Sequence, residues 1–154
     1  MTAKLEPATI LVVDDDADSR DIAARLVELE GFRTKRADGG EACLRMAKTE
    51  AIDLILLDVM MPGLDGFEVC AALREAGIKI PIILLTAKDD VDTRAKGMHE
   101  GVSEFLTKPI NRTELAARIR AQLHILELNR RLEEVERNLQ NRVPAPGATR
   151  PPRA

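Results

Sequence analysis

The stretch DLILLDVMMPGLDG, residues 53–66, decides how the chain is read. Four consecutive apolar residues, Leu54, Ile55, Leu56 and Leu57, lead into one aspartate, Asp58, and a short loop with one proline and two glycines follows. A short apolar run bounded by turn residues reads as a strand. A strand that is apolar at successive positions, not alternate ones, is covered on both faces of its sheet. Such a strand acts as a rod in the core, and Asp58 stands at its tip.

Working outward, TILVV (9–13) and IPIILLT (80–86) repeat the pattern of a buried strand. FRTKRA (32–37) is a weaker, edge-like strand, and EFLT (104–107) is a short one before Lys108-Pro109. Helical patterns lie between them. Residues 18–30 place Ile22, Leu26, Val27 and Leu29 on one side of a helix stopped by Gly31. GGEACLRMAKT (39–49), GFEVCAALREAG (66–77, ending at Gly77) and the polar DVDTRAKGMHEG (90–101) follow. A last helix starts at Asn111 and runs to about residue 142. Five strands alternating with five helices predict a doubly wound parallel α/β fold, whose ligands bind beyond the carboxyl ends of the strands.

Composition narrows the function classes. With 154 residues, 45% of them hydrophobic, the chain holds one domain and some extra length. No apolar run approaches the ~20 residues of a membrane span, and the N-terminus shows no signal-peptide pattern, so a cytoplasmic protein without membrane contact is expected. Cys43 and Cys70 lie in helical patterns without CxxC or Cys/His spacing and read as buried thiols. Aromatics are 2% of the chain, which excludes a base-stacking platform. Residues 1–124 carry 17 Lys and Arg against 22 Asp and Glu, a balance of −5, which argues against direct nucleic-acid binding. His99 and His124 have no catalytic partner at motif spacing and read as surface helix residues.

At the carboxyl ends of the strands the chemistry collects. Strand one ends in Asp14, Asp15 and Asp16, strand three in Asp58, strand four in Thr86, and strand five near Lys108. Carboxylates brought together repel one another, and a hard divalent cation such as Mg2+, which prefers oxygen ligands, relieves them. Lysine and threonine beside the cation would complete a cradle for a phosphoryl group, with Asp58 able to act as the nucleophile that forms an acyl phosphate. Singly these signals are weak, since an aspartate after a strand is usually a turn or cap residue, the reading preferred for Asp16 and Asp18. Together, in this order, each at a strand end, they are specific.

The segments ILVVDDD, DLILLDVMMPGLDGFEV, PIILLTA and FLTKPI, over about residues 9–120, resemble the receiver domain of the two-component response regulators. The neighbourhoods DVMMPGLDGFEVC and SEFLTKPI resemble receivers joined to cyclic-di-GMP output modules. The resemblance implies a flavodoxin-like (βα)5 sheet in the order 2-1-3-4-5, with a receiver over residues 8–122. It implies that Asp58 accepts a phosphoryl group from a sensor histidine kinase or phosphotransfer protein. Mg2+ would be held by Asp14, Asp15 and Asp58 and by the Met60 backbone carbonyl. Lys108 would pair with the phosphoryl group, and Thr86 would move its hydroxyl onto it. Phe105 would be the switch aromatic that turns inward as Thr86 moves. Ala87 would leave a path to Asp58, and Lys108–Pro109 would be cis. Such a chain is a signalling phospho-acceptor and not an enzyme with a substrate of its own. Two flanking positions depart from the common pattern, Met60 being apolar and Lys88 basic; no polar side chain at 60 can orient water, so slow autodephosphorylation is expected.

A bare receiver ends near residue 122, yet the last helix continues. Ile125, Leu128, Leu132, Val135 and Leu139 are spaced 3, 4, 3, 4, a heptad seam flanked by Arg131 and Glu136, which can pair between parallel chains. Residues 123–142 are therefore expected to form a coiled coil that joins two copies, or to lie back on the domain, or to link to an output domain. VPAPGATRPPRA (143–154) reads as a disordered tail.

Two other functions were open to the same residues. A haloacid-dehalogenase-type phosphatase also uses a strand-end aspartate, but it needs acidic metal ligands after the lysine, and no aspartate lies beyond Asp92. A dimeric scaffold indifferent to phosphorylation would not need Thr86 and Lys108 beside the acids.

Overall fold

The computed structural model describes residues 7–87 and 91–142. Five strands, β1 (Thr9–Val13), β2 (Arg33–Ala37), β3 (Leu54–Asp58), β4 (Ile82–Thr86) and β5 (Glu104–Thr107), alternate with five helices. These are α1 (Ala17–Leu29), α2 (Gly40–Thr49), α3 (Gly66–Glu75), α4 (Val91–Glu100) and α5 (Arg112–Arg142). The sheet is parallel throughout, in the order β2-β1-β3-β4-β5. This is the flavodoxin-like arrangement the resemblance implied.

The two-sided burial expected of β3 is complete: Leu54, Ile55, Leu56 and Leu57 are each 0% exposed. Successive side chains point to opposite faces of a sheet, and two cores result. Leu11, Val13, Ile55, Leu57, Ile82 and Leu84 pack with Cys43, Phe67, Val69 and Leu73 of α2 and α3. Ile10, Val12, Leu54, Leu56, Ile83 and Leu85 pack with Ala23, Ala24 and Val27 of α1 and Leu115 and Ile119 of α5. Both cysteines are buried, and burial pushes the Cys43 thiol up to about 12.

The expected inner face of α1 needs correction. Val27 is buried and Leu26 packs against the core, but Ile22 and Leu29 are 60% and 59% exposed. The helix lays its small residues Ala23 and Ala24 against the sheet instead, so its backbone approaches closely and the larger side chains are carried to the flanks.

Caps place the helix starts. Asp16 accepts from the Ser19 amide at 2.8 Å and so opens α1, as its cap reading expects. Asp65 and Glu68 form a reciprocal capping box at α3. Gly66 lets α3 begin against the end of β3, since a Cβ there would lie 2.7 Å from the Asp58 carbonyl oxygen. Asn111 accepts from the Glu114 amide at 2.9 Å and opens α5.

Contacts divide the chain into one unit ending at Leu123 and a second beginning at His124. In the second unit α5 continues without interruption to Arg142, and the seam residues Ile125, Leu128, Leu132, Val135 and Leu139 are all exposed, between 44% and 60%. Among the described residues no helix is long and apolar enough to cross a membrane. The tail at 143–154, read from sequence as disordered, lies outside the described residues, as does Lys88.

Candidate functional site

Register brings the strand tips into line. Val13 of β1 pairs with Leu57 of β3, Asp58 with Leu85 of β4, and Thr86 with Thr107 of β5. The next residues along the sheet edge are therefore Asp14, Asp58, Thr86 and Lys108, drawn to one rim from four separated segments. The β1/β3 edge is also where the strand order reverses, the place where this fold class binds ligands.

At that rim Asp14 and Asp58 are buried, 4% and 6% exposed, while Asp15 faces solvent. One carboxylate oxygen from each of Asp14, Asp15 and Asp58 lies within 4.8 Å of the other two. The Lys108 ammonium sits 2.8 Å from Asp58 Oδ1 and 3.5 Å from Asp14 Oδ2. The backbone fixes these groups. The Lys108 amide donates to the Thr86 carbonyl at 2.8 Å, and the Asp16 amide donates to Asp14 Oδ1 at 3.0 Å. Thr86 is 3% exposed at the tip of β4, and Phe105 is 5% exposed on β5. Lys108–Pro109 is cis. Met60 carries its side chain into solvent at 74% exposure.

The electrostatics follow from burial and crowding. Asp58 holds its proton above the ordinary carboxylate value, first because burial desolvates the anion; Lys108 opposes this, and the charges of Asp14 and Asp15 add to it. For Lys108, burial pulls its pKa down, but the hydrogen bond and charge of Asp58, followed by Asp14, outweigh it and leave the ammonium above its usual value. Asp16 is held low by the Ser19 amide, consistent with a cap and not with the acidic cluster.

Three hard oxygen donors this close, two of them buried, fit an oxygen-seeking divalent cation such as Mg2+. Asp14, Asp15, Asp58, Thr86 and Lys108 thus reach one rim, while Phe105 lies two residues before the tip of β5, paired with Leu84, and Asp16 is diverted to its cap. Arg20 was not foreseen: its guanidinium donates to the Asp14 carbonyl at 2.9 Å and braces that loop. Nothing in its spacing separates it from other arginines on an exposed helix face.

Against known proteins, the response regulator receiver domain model matches residues 10–120. The chain belongs to the response regulator receiver family. Its receiver is 43% identical over 117 residues to the response regulator MprA of Mycolicibacterium vanbaalenii, covering 76% of this chain and 51% of that protein. The chain spans about half the length of the curated relatives it matches. In three dimensions it resembles the receiver domain of the Francisella response regulator 1452, with a TM-score of 0.74, 32% identity, and coverage of 77% of this chain and 98% of that one. It also resembles the chemotaxis protein CheY4 of Vibrio cholerae, with a TM-score of 0.71, 28% identity, and coverage of 75% and 98%. The chain thus carries the receiver domain of a two-component response regulator.

Proposed function

We propose that this receiver is phosphorylated on Asp58 by a sensor histidine kinase or phosphotransfer protein, and that the phosphoryl group switches the surface around α4, β5 and α5. The observation that carries the proposal is the contact of Lys108 with Asp58 inside a cluster of two further carboxylates. An Asp58 oxygen attacks the phosphorus of a phosphohistidine; the new P–O bond forms as the P–N bond breaks, and the imidazole leaves with the electron pair and takes up a proton. Lys108 stays beside the incoming phosphoryl oxygens and offsets their charge. Mg2+ held by Asp14, Asp15, Asp58 and the Met60 carbonyl would supply the remaining charge neutralisation. Thr86, one strand over, gives a hydroxyl to a phosphoryl oxygen, and the Phe105 ring, already buried in this structure, is held inward by that shift. The exposed thioether of Met60 offers nothing to orient water, which supports a long-lived phosphoryl group.

Residues 8–122 are assigned to the receiver, 123–142 to a helical extension and 143–154 to a tail. The extension joins two copies in parallel: its five seam residues are exposed on one unbroken helix and keep the 3, 4 spacing of a coiled coil. A seam of about two heptads is short, so the dimer is expected to be weak and responsive to the receiver. The likeness to receivers of cyclic-di-GMP modules rests on two segments alone and names the first output class to try. A cytoplasmic setting accords with a kinase-fed signalling role.

The test is incubation with Mg2+ and a small phosphodonor, read by intact mass. A stable adduct of one phosphoryl group per chain, absent in Asp58→Asn, is expected. Continuous turnover of the donor without an adduct would indicate a phosphatase, and neither adduct nor turnover would indicate a scaffold.

A further inference from the structure

A ring that turns inward needs somewhere to go, and α4 provides it. Phe105 lies in the core shared with α2 and α3. Gly97 stands in the middle of α4 and is buried there. Glycine weakens a helix interior relative to alanine, and the backbone at 97 does not adopt the positive φ found at Gly31, Gly63, Gly77 and Gly101. Neither the helix nor its backbone conformation calls for glycine here. The neighbour does. A Cβ at position 97 would lie 2.2 Å from Phe105 Cζ and 2.8 Å from Cε1, far inside contact distance. One turn earlier the Arg94 guanidinium lies 5.3 Å from the ring centroid. Thus α4 offers the ring a bare stretch of backbone at Gly97 and a cation at Arg94.

We propose that Gly97 is a positioning residue of the switch: its missing side chain is the socket that admits the Phe105 ring, and a Cβ there forces the ring to shift. This rests on the reading of Phe105 as the switch aromatic. Coupling between sites is reciprocal. The ring is already inward in this structure; if the phosphoryl group favours that position over an outward one, a variant that keeps the ring out must also bind a phosphoryl mimic more weakly at Asp58.

The experiment uses the full chain with labelled phenylalanine, of which there are three and no tyrosine or tryptophan to overlap them. In the wild type, the Phe105 ring should show nuclear Overhauser contacts to the Gly97 α protons. In Gly97→Ala those contacts should vanish, the Phe105 signal should move toward that of an exposed ring, and affinity for beryllofluoride with Mg2+ should fall by about tenfold, within the usual range of coupling. A double-mutant cycle guards against a general folding defect. Gly97→Ala should lower the unfolding midpoint when Phe105 is present and raise it in a Phe105→Ala background, where only helix propensity is left. An unmoved ring with a raised midpoint in both backgrounds would overturn the inference. A ring displaced as described, in a protein whose wild type shows no response to beryllofluoride, would support the socket and overturn the reading of Asp58.

Discussion

The Lys108 ammonium lies 2.8 Å from Asp58 Oδ1 and also reaches Asp14 Oδ2 at 3.5 Å, so one cation serves two buried carboxylates. Of the influences on Asp58, burial and the neighbouring acids raise its pKa, and the two that lower it both come from Lys108. Lys108→Met is therefore expected to move Asp58 still further above the ordinary carboxylate value. Titration of carboxyl-labelled aspartate by NMR reads this directly, and an unchanged Asp58 midpoint would contradict it.

Divalent cation should stabilise the fold. A ligand that binds only the native state at ten times its Kd adds about 1.4 kcal/mol, and Asp15→Asn should remove most of that gain. Differential scanning calorimetry with and without Mg2+ measures it. The pH dependence has two opposite signs. Without metal, the raised Asp58 pKa means the folded state binds the proton more tightly than the unfolded chain. That contribution is present below the ordinary value of 3.8 and is lost as pH rises through the higher folded value. With metal, Asp58 must be ionised to act as a ligand. The Mg2+ increment should therefore fade on acidification while pH is still above 3.8, sooner than for an unperturbed aspartate.

Leu57→Ala should cost about 2–5 kcal/mol, the range for deleting a buried leucine side chain. Leu57 is 0% exposed and precedes Asp58 on β3, pairing with Val13 beside Asp14. Urea unfolding gives the loss, and weaker Mg2+ binding should accompany it because the strand tip that aims Asp58 loses its packing.

The strands were legible because both faces of the sheet are covered, which writes β1, β3 and β4 as unbroken apolar runs. The rim followed from strand ends alone: parallel strands in near register deliver Asp14, Asp58, Thr86 and Lys108 to one edge whatever the loops do. Helix faces were less legible. On α1 the large residues Ile22 and Leu29 drew the expected face toward themselves, while the sheet takes Ala23, Ala24 and Val27, whose small size decides the fit but gives a weak hydrophobic signal. Gly97 showed only as a glycine inside a helical pattern; its reason is a ring eight residues later on another element, a relation no local pattern contains.

Leu132→Glu should dissociate the dimer assigned to the helical extension. Leu132 is 60% exposed in the single chain, so the charge costs the monomer little but would be buried at the centre of a paired seam. Light scattering across a concentration series should show dimer for the wild type and monomer for the variant, with equal unfolding midpoints at low concentration. A wild type that stays monomeric at every concentration, phosphorylated or not, would remove the coiled coil.

The central claim, that Asp58 carries the phosphoryl group, is tested most directly by trapping. An acyl phosphate is reduced by borohydride to the alcohol, so phosphodonor and Mg2+ followed by reduction should leave homoserine at residue 58 in a peptide map. Homoserine at 58, dependent on Mg2+ and on the donor, is the predicted result. An intact aspartate at 58 in protein that has gained the phosphoryl mass, or homoserine at another aspartate, would contradict the account.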